Sequence, residues 1–201
     1  MDEEELEVKF YLNEPVILEE KVKALGAALV QPRIFELNLR YDTKDGELAR
    51  TGQVLRLRKD VQAVLTYKGP GRLRQDVSVR QEIEFTTSDF VAASHFLEAL
   101  GYQVAIIYEK YRTTYQIGPT EIVLDEMPFG NFAEIEGPDP ASIRALAIKL
   151  GLNWEARRTE SYLALFKKLQ ETRQLAFHNL TFSNFSGLKV STDELGIRSA
   201  D

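Results

Sequence analysis

Apolar and polar residues alternate with a period of two along most of this chain, a pattern that predicts strands with two chemically distinct faces. Strands are expected at about residues 4–12, 36–43, 53–59, 62–68, 77–86, 104–117, 120–126 and 131–137. Helical stretches fall at about 15–26, 87–100, 139–151 and 159–172. Pro15 and Pro140 stand in first turns, while Gly26, Gly101 and Gly151 follow last turns, the usual asymmetry of helix ends. Lys68-Gly69-Pro70-Gly71 and Pro128-Phe129-Gly130-Asn131 read as turns. There is also a weak repeat, in which a Glu-x-Glu strand leads to a helix closing on Leu-Gly. It runs from Glu5/Glu7 to Leu25-Gly26, from Glu82/Glu84 to Leu100-Gly101, and from Glu134/Glu136 to Leu150-Gly151. No Pro- or Ser-rich linker divides the chain. Beyond about residue 173 the period is lost, but Phe177, Phe182, Phe185 and Leu188 equip this tail to dock on a surface.

Side chains two apart on a strand share a face, and here one face is charged while the other is apolar. Glu5, Glu7 and Lys9 oppose Leu6, Val8 and Phe10; Arg56 and Arg58 oppose Leu55 and Leu57; Thr66 and Lys68 oppose Leu65 and Tyr67. Arg80, Glu82 and Glu84 oppose Val79, Ile83 and Phe85; Lys110 and Arg112 oppose Tyr111; Asp125 opposes Leu124; Glu134 and Glu136 oppose Ile135. Two architectures accommodate this. In one, the charged face meets water and helices cover the apolar face of an open sheet. In the other, eight strands close into a barrel just wide enough for one small ligand, with the charges inside and helices packed outside. Acids and bases keep largely to separate strands, which favours closure: an α+β protein built on a closed, eight-stranded antiparallel β-barrel. Buried charges must then be paired or bound to something, and hard cations with phosphate oxygens would satisfy both signs.

Composition narrows the chemistry. With 25 Lys and Arg against 31 Asp and Glu, the net charge is −6, so the surface as a whole does not attract nucleic acid or an anionic membrane. Absence of Cys removes disulfides and thiolate chemistry. His95 and His178 are the only histidines and neither lies on a charged strand, so histidine catalysis is not expected. The acidic N-terminus lacks a signal-like apolar stretch and no run is long enough to span a bilayer. A cytoplasmic protein, monomeric or homodimeric, is expected.

Glu5-Leu6-Glu7-Val8-Lys9 matches the ExExK signature of the CYTH domain, and the chain resembles the triphosphate tunnel metalloenzymes. The series continues through Tyr41-Asp42, Leu55-Arg56-Leu57-Arg58, Leu65-Thr66-Tyr67-Lys68-Gly69-Pro70 and Arg80-Gln81-Glu82-Ile83-Glu84. It ends with Glu109-Lys110-Tyr111-Arg112, Leu124-Asp125, Glu134-Ile135-Glu136-Gly137 and Ser161-Tyr162. The resemblance implies a domain over residues 1–172, followed by the tail at 173–201, and a tunnel holding a small-molecule triphosphate with Mg²⁺ or Mn²⁺. By motif position, Lys9, Arg56, Arg58, Lys68, Lys110 and Arg112 would grip phosphate. Glu5, Glu7, Asp125, Glu134 and Glu136 would bind metal, with Glu82 and Glu84 as further acidic members for a second ion. In some members of the family a Tyr–Lys pair activates water; Tyr41 and Lys68 occupy those motifs, the alternative being a packed Tyr beside a phosphate-binding Lys. The resemblance implies a metal-dependent triphosphatase, acting on inorganic triphosphate, thiamine triphosphate or a nucleotide. A class IV adenylate cyclase and a non-catalytic polyphosphate- or nucleotide-binding module are the alternatives. Crowding of Glu5, Glu7, Asp125, Glu134 and Glu136 is expected to destabilise the metal-free fold, and Glu134→Gln to relieve it.

Overall fold

The computed structural model describes residues 3–201. Among the described residues there are nine strands and six α-helices, beginning with β1 (Glu3–Leu12), α1 (Pro15–Ala24), β2 (Ala28–Asp42), α2 (Glu47–Arg50), β3 (Val54–Lys59), β4 (Ala63–Lys68), β5 (Arg72–Arg74) and β6 (Val77–Thr87). After them come α3 (Phe90–Ala99), β7 (Gln103–Ile117), β8 (Thr120–Met127), β9 (Gly130–Glu136), α4 (Pro140–Lys149), α5 (Tyr162–Arg173) and α6 (Thr192–Leu195). Hydrogen bonds run in the order β1-β9-β8-β7-β2-β3-β4-β6, and β6 pairs back onto β1, so eight antiparallel strands close a ring. Three-residue β5 pairs with the start of β6, continuing the line of β4.

The apolar faces turn outward onto helices. Leu6, Val8, Phe10 and Leu12 of β1 pack with Leu18 and Val22 of α1 and Ile143, Leu146 and Ala147 of α4. Leu97 of α3 covers Leu39 and Leu57. The three Leu-Gly endings share one geometry: Gly26, Gly101 and Gly151 have φ of +79°, +92° and +76°. The next residue's N–H then reaches back to the carbonyl of Val22, Leu97 or Ala147, each a buried position. The sequence repeat therefore encodes three helices that close by the same device. At the other ends, Asp89 accepts from Val91 and Ala92 N–H, and Asp139 from Ala141 and Ser142 N–H.

Two features depart from the sequence expectation. β2 begins at residue 28 rather than 36, because its first half is exposed and irregular around Pro32 and shows no alternation. α2, β5 and α6 are too short for any period to register. The last segment packs closely: Leu180, Phe185, Leu195 and Ile197 join Tyr162, Leu165, Phe166 and Leu169 of α5 in one apolar cluster. Its backbone bonds to β7 and β1, through Leu180 N–H to Ile107 and Ala200 N–H to Tyr11, and the Asp201 side chain accepts from Asn13 and Glu14 N–H.

Candidate functional site: a charged lumen sorted by ring order

The ring encloses a cavity of about 1150 Å³, and half of the residues that line it are charged. Ring order, rather than sequence order, sorts these charges. Neighbouring β1, β9 and β8 bring Glu5, Glu7, Glu136, Glu134 and Glu121 into one arc, with Asp125 beneath them. The next four strands, β7, β2, β3 and β4, bring Lys110, Arg112, Arg40, Arg56, Arg58 and Lys68. β6 completes the ring with Arg80, Glu82 and Glu84. Lys9 and Glu36 each cross this division.

The centre of the lumen is a dense ion-pair network. Asp125, 1% exposed, accepts from Lys110 Nζ at 3.0 Å, Arg112 Nε at 2.7 Å and the Tyr162 hydroxyl at 2.9 Å. Arg112 also donates to Glu134 at 2.6 Å, and Lys9 lies 2.6 Å from Glu7 and 3.2 Å from Glu134. Lys68 donates to Glu5 at 2.6 Å and stands 3.3 Å from Glu82. Arg56 and Arg58 approach Glu84 at 3.5 and 3.8 Å, and Arg58 pairs with Asp60 at 3.0 Å. α5 supplies the floor: the Tyr162 ring lies under the ammonium groups of Lys9 and Lys110, at 5.7 and 5.8 Å.

Compensation is uneven. Burial works to protonate Glu134, but Lys9, Arg112, Lys110 and Lys68 outweigh it and hold the carboxyl well below its usual range. Glu36 is likewise held at about 2, burial being overcome by Lys110 and Arg112. Glu136 shows the reverse: burial, then the carboxylates of Glu5, Glu121 and Glu7, push it up to about 8. Burial also raises Glu121, against the pull of Arg112 and with the push of Glu134. One side of the lumen thus holds more negative charge than its own cations neutralise. Its donors are hard carboxylate oxygens, which suit Mg²⁺ or Mn²⁺. Among the described residues no three acidic groups converge as a ready-made metal centre, because Glu5 and Glu7 are turned to Lys68 and Lys9. On the basic side, Nε of Arg40, Arg56 and Arg80 and Nδ2 of Asn38 are buried without a hydrogen-bond partner, donors that suit an anion rich in acceptors.

Of the two readings of Tyr41, the packed one fits its contacts: the ring lies with Leu39, Leu57 and Leu97, the hydroxyl meets Ser94 Oγ of α3 at 2.7 Å, and no hydrogen bond joins it to Lys68 among the described residues. Alternation along β2 puts Glu36, Asn38 and Arg40 on the lumen face and Leu39 and Tyr41 outside. Among the described residues, the tyrosine hydroxyls that meet lumen charges are those of Tyr108, 3.5 Å from Arg56, and Tyr162. Lys68 is a poor proton acceptor: burial opposes its charge, but Glu5, Glu7 and Glu82 raise its pKa overall. Glu36, Asn38, Arg40, Tyr108 and Glu121 were absent from the motif-based set. For β2 the signal was present in the period-two spacing of Glu36, Asn38 and Arg40.

No curated protein matches the chain in sequence. Among solved structures, PH1819 from Pyrococcus horikoshii OT3 is 26% identical, with 81% of this chain and 98% of that one aligned at a TM-score of 0.67. A candidate adenylate cyclase from Vibrio parahaemolyticus aligns over 83% of this chain and 99% of its own at TM-score 0.73 and 23% identity. HpAC1 from Hippeastrum, described as having a dominant triphosphatase activity, aligns over 81% and 95% at TM-score 0.62 and 21% identity. The CYTH domain family model matches residues 3–176, and with a closed ring of eight strands around a lumen of opposed acidic and basic arcs, the chain belongs to the CYTH family.

Proposed function

We propose that the lumen binds a triphosphate together with Mg²⁺ or Mn²⁺ and hydrolyses its terminal phosphoryl group. The observation that carries this reading is the pairing of surpluses inside one cavity: excess carboxylate around Glu136 on one side, arginines with unpartnered Nε on the other. Such a lumen is served by metal and polyanion together. Hydrolysis of a phosphoric anhydride needs little covalent help; it needs a held substrate and neutralised charge. Arg56, Arg58, Lys110 and Arg112 supply the positive wall, while Lys9 and Lys68, now paired with glutamates, exchange those partners for phosphate oxygens. Glu5, Glu7, Glu134 and Glu136 are the groups that would hold the metal, with Asp125 orienting Lys110 and Arg112 from below. A divalent ion held there would supply charge neutralisation for the anhydride oxygens. Water attacks the terminal phosphorus, the bond to the bridging oxygen breaks, and the proton leaves with solvent or product phosphate. Tyr41 has no part in this.

A cyclase reading draws support from the cavity itself, which extends beside Ile106, Leu163 and Phe166 at the α5 end. The test is a product assay with inorganic triphosphate, thiamine triphosphate and ATP, separating phosphate, pyrophosphate and cyclic AMP, with Mg²⁺ or Mn²⁺ and with EDTA. Phosphate release abolished by EDTA is expected; undiminished release from metal-stripped protein contradicts the metal assignment, and cyclic AMP as main product replaces hydrolysis by cyclisation.

A further inference from the structure

The outer layer of helices leaves one strip of the barrel bare. α1 and α4 cover the outward side chains of β1, β8 and β9, together with Val77 and Val79 at the start of β6. α3 lies over Leu39 and Tyr41 of β2 and Leu57 of β3, with Leu65 of β4 at its border. Past that border the outward residues of β4 and β6 meet across the sheet, Leu65 opposite Phe85 and Tyr67 opposite Ile83. Ile83 and Phe85 are more than half exposed and join none of the apolar clusters. α3, which follows β6 after only Ser88 and Asp89, has an apolar face to spare. Val91, Phe96 and the C-cap residue Leu100 are also more than half exposed. Glu98 is the only Asp, Glu, Lys or Arg from Phe90 to Ala99, whereas α1 and α5 turn Lys21, Lys23, Lys167 and Lys168 to solvent. A helix that is apolar all round is one that becomes covered on both sides.

We propose that this face joins two copies of the chain about a twofold axis, with α3 of each copy covering the bare β4–β6 strip of the other. The occupant is a second copy because the surface complements itself: a strip that lacks a helix adjoins a helix with a surplus apolar face. A twofold contact supplies each copy with what it lacks. Ile83, Phe85, Val91, Phe96 and Leu100 together offer on the order of 500 Å² of apolar surface, at the upper end for one patch on a monomer and most of the roughly 800 Å² per partner of a stable interface. Two of the five are phenylalanines, a residue type enriched at interface centres. Charge permits the contact as well. The chain carries −6, yet α3 brings a single carboxylate to the face, so two copies meet there with little like-charge repulsion.

Sedimentation equilibrium of the full chain from about 1 to 100 µM, the range over which a micromolar dimer assembles, tests this. Wild type should pass from the mass of one chain to that of two, and its melting temperature should rise with concentration. Phe85→Lys on the strip and Phe96→Glu on the helix should each raise the dissociation constant about thirtyfold or more. Both side chains are exposed in the single chain, so dilute variants should melt within about 2 °C of dilute wild type. Phe85→Ser and Phe96→Ser stand in for either one that fails to fold. An equimolar mixture of Phe85→Lys and Phe96→Glu proteins should recover the dimer. One contact of the mixed pair is then native, and the other sets a new lysine against a new glutamate. Wild type that stays monomeric at about 100 µM overturns the proposal. So does a dimer that survives either substitution, which places the interface elsewhere. Loss in both variants without recovery in the mixture overturns the pairing of helix with strip.

Discussion

At the residue scale, the lumen contains carboxylates of opposite character a few ångströms apart. The sequence led us to expect that Glu134→Gln would relieve repulsion, but Glu134 is paired with Lys9 and Arg112, and its loss leaves both buried cations short of a partner. The repulsion sits at Glu136. Its carboxyl is shifted from 4.5 to about 8, so between those values the folded protein holds a proton that the unfolded chain has released. Metal-free stability therefore falls as pH rises from about 4.5 to 8. Glu136→Gln is expected to flatten that slope and raise the melting temperature at pH 8 in EDTA, whereas Glu134→Gln should lower it. Melts of the three proteins at pH 5, 6.5 and 8 test this; a Glu136→Gln protein with the wild-type slope refutes the assignment.

At the scale of elements, alternation decides which tyrosines touch chemistry. Tyr41 leaves β2 on the helix-covered face, and Tyr41→Phe removes only the bond to Ser94. It should cost about 1 kcal/mol of stability and leave turnover within about twofold. Tyr162 opens α5 beneath the network and donates to Asp125, which positions Lys110 and Arg112 in turn. Tyr162→Phe should cost a similar amount of stability but lower kcat about tenfold. Urea unfolding beside a phosphate-release assay separates the two, and equal kinetic effects would contradict the opposite orientations assigned here.

For the whole molecule, the family match ends at residue 176, yet the folded core does not. Leu180, Phe185, Leu195 and Ile197 are 0–5% exposed against α5. Burial of each contributes roughly 1.5–3 kcal/mol, so the four together rival the usual net stability of a domain, about 5–15 kcal/mol. α5 also holds Tyr162 under the lumen cations, so the last segment supports the site at one remove. A chain ending at residue 176 should melt about 10 °C or more below the full protein, if it folds, and lose activity. A truncated chain with wild-type stability and turnover would show the segment to be dispensable.

Much of this was legible in the sequence. Period two fixes which side chains share a face, and Glu5, Glu7, Lys9, Arg56, Arg58, Lys68, Lys110, Arg112, Glu134 and Glu136 all emerge on the lumen side because that periodicity is a property of the backbone. The Leu-Gly endings likewise announced three helices with one kind of closure. Local rules are silent where the decisive contact joins distant parts of the chain. Pairing of β1 with both β9 and β6 closes the ring and sorts the charges into two arcs, and no local pattern states that register. Within it, Coulomb energy depends on separations of a few ångströms. Tertiary structure alone therefore decided that Glu134 is compensated and Glu136 is not, that Tyr41 packs against a helix, and that Arg40 stands opposite Arg56 without an ion pair among the described residues.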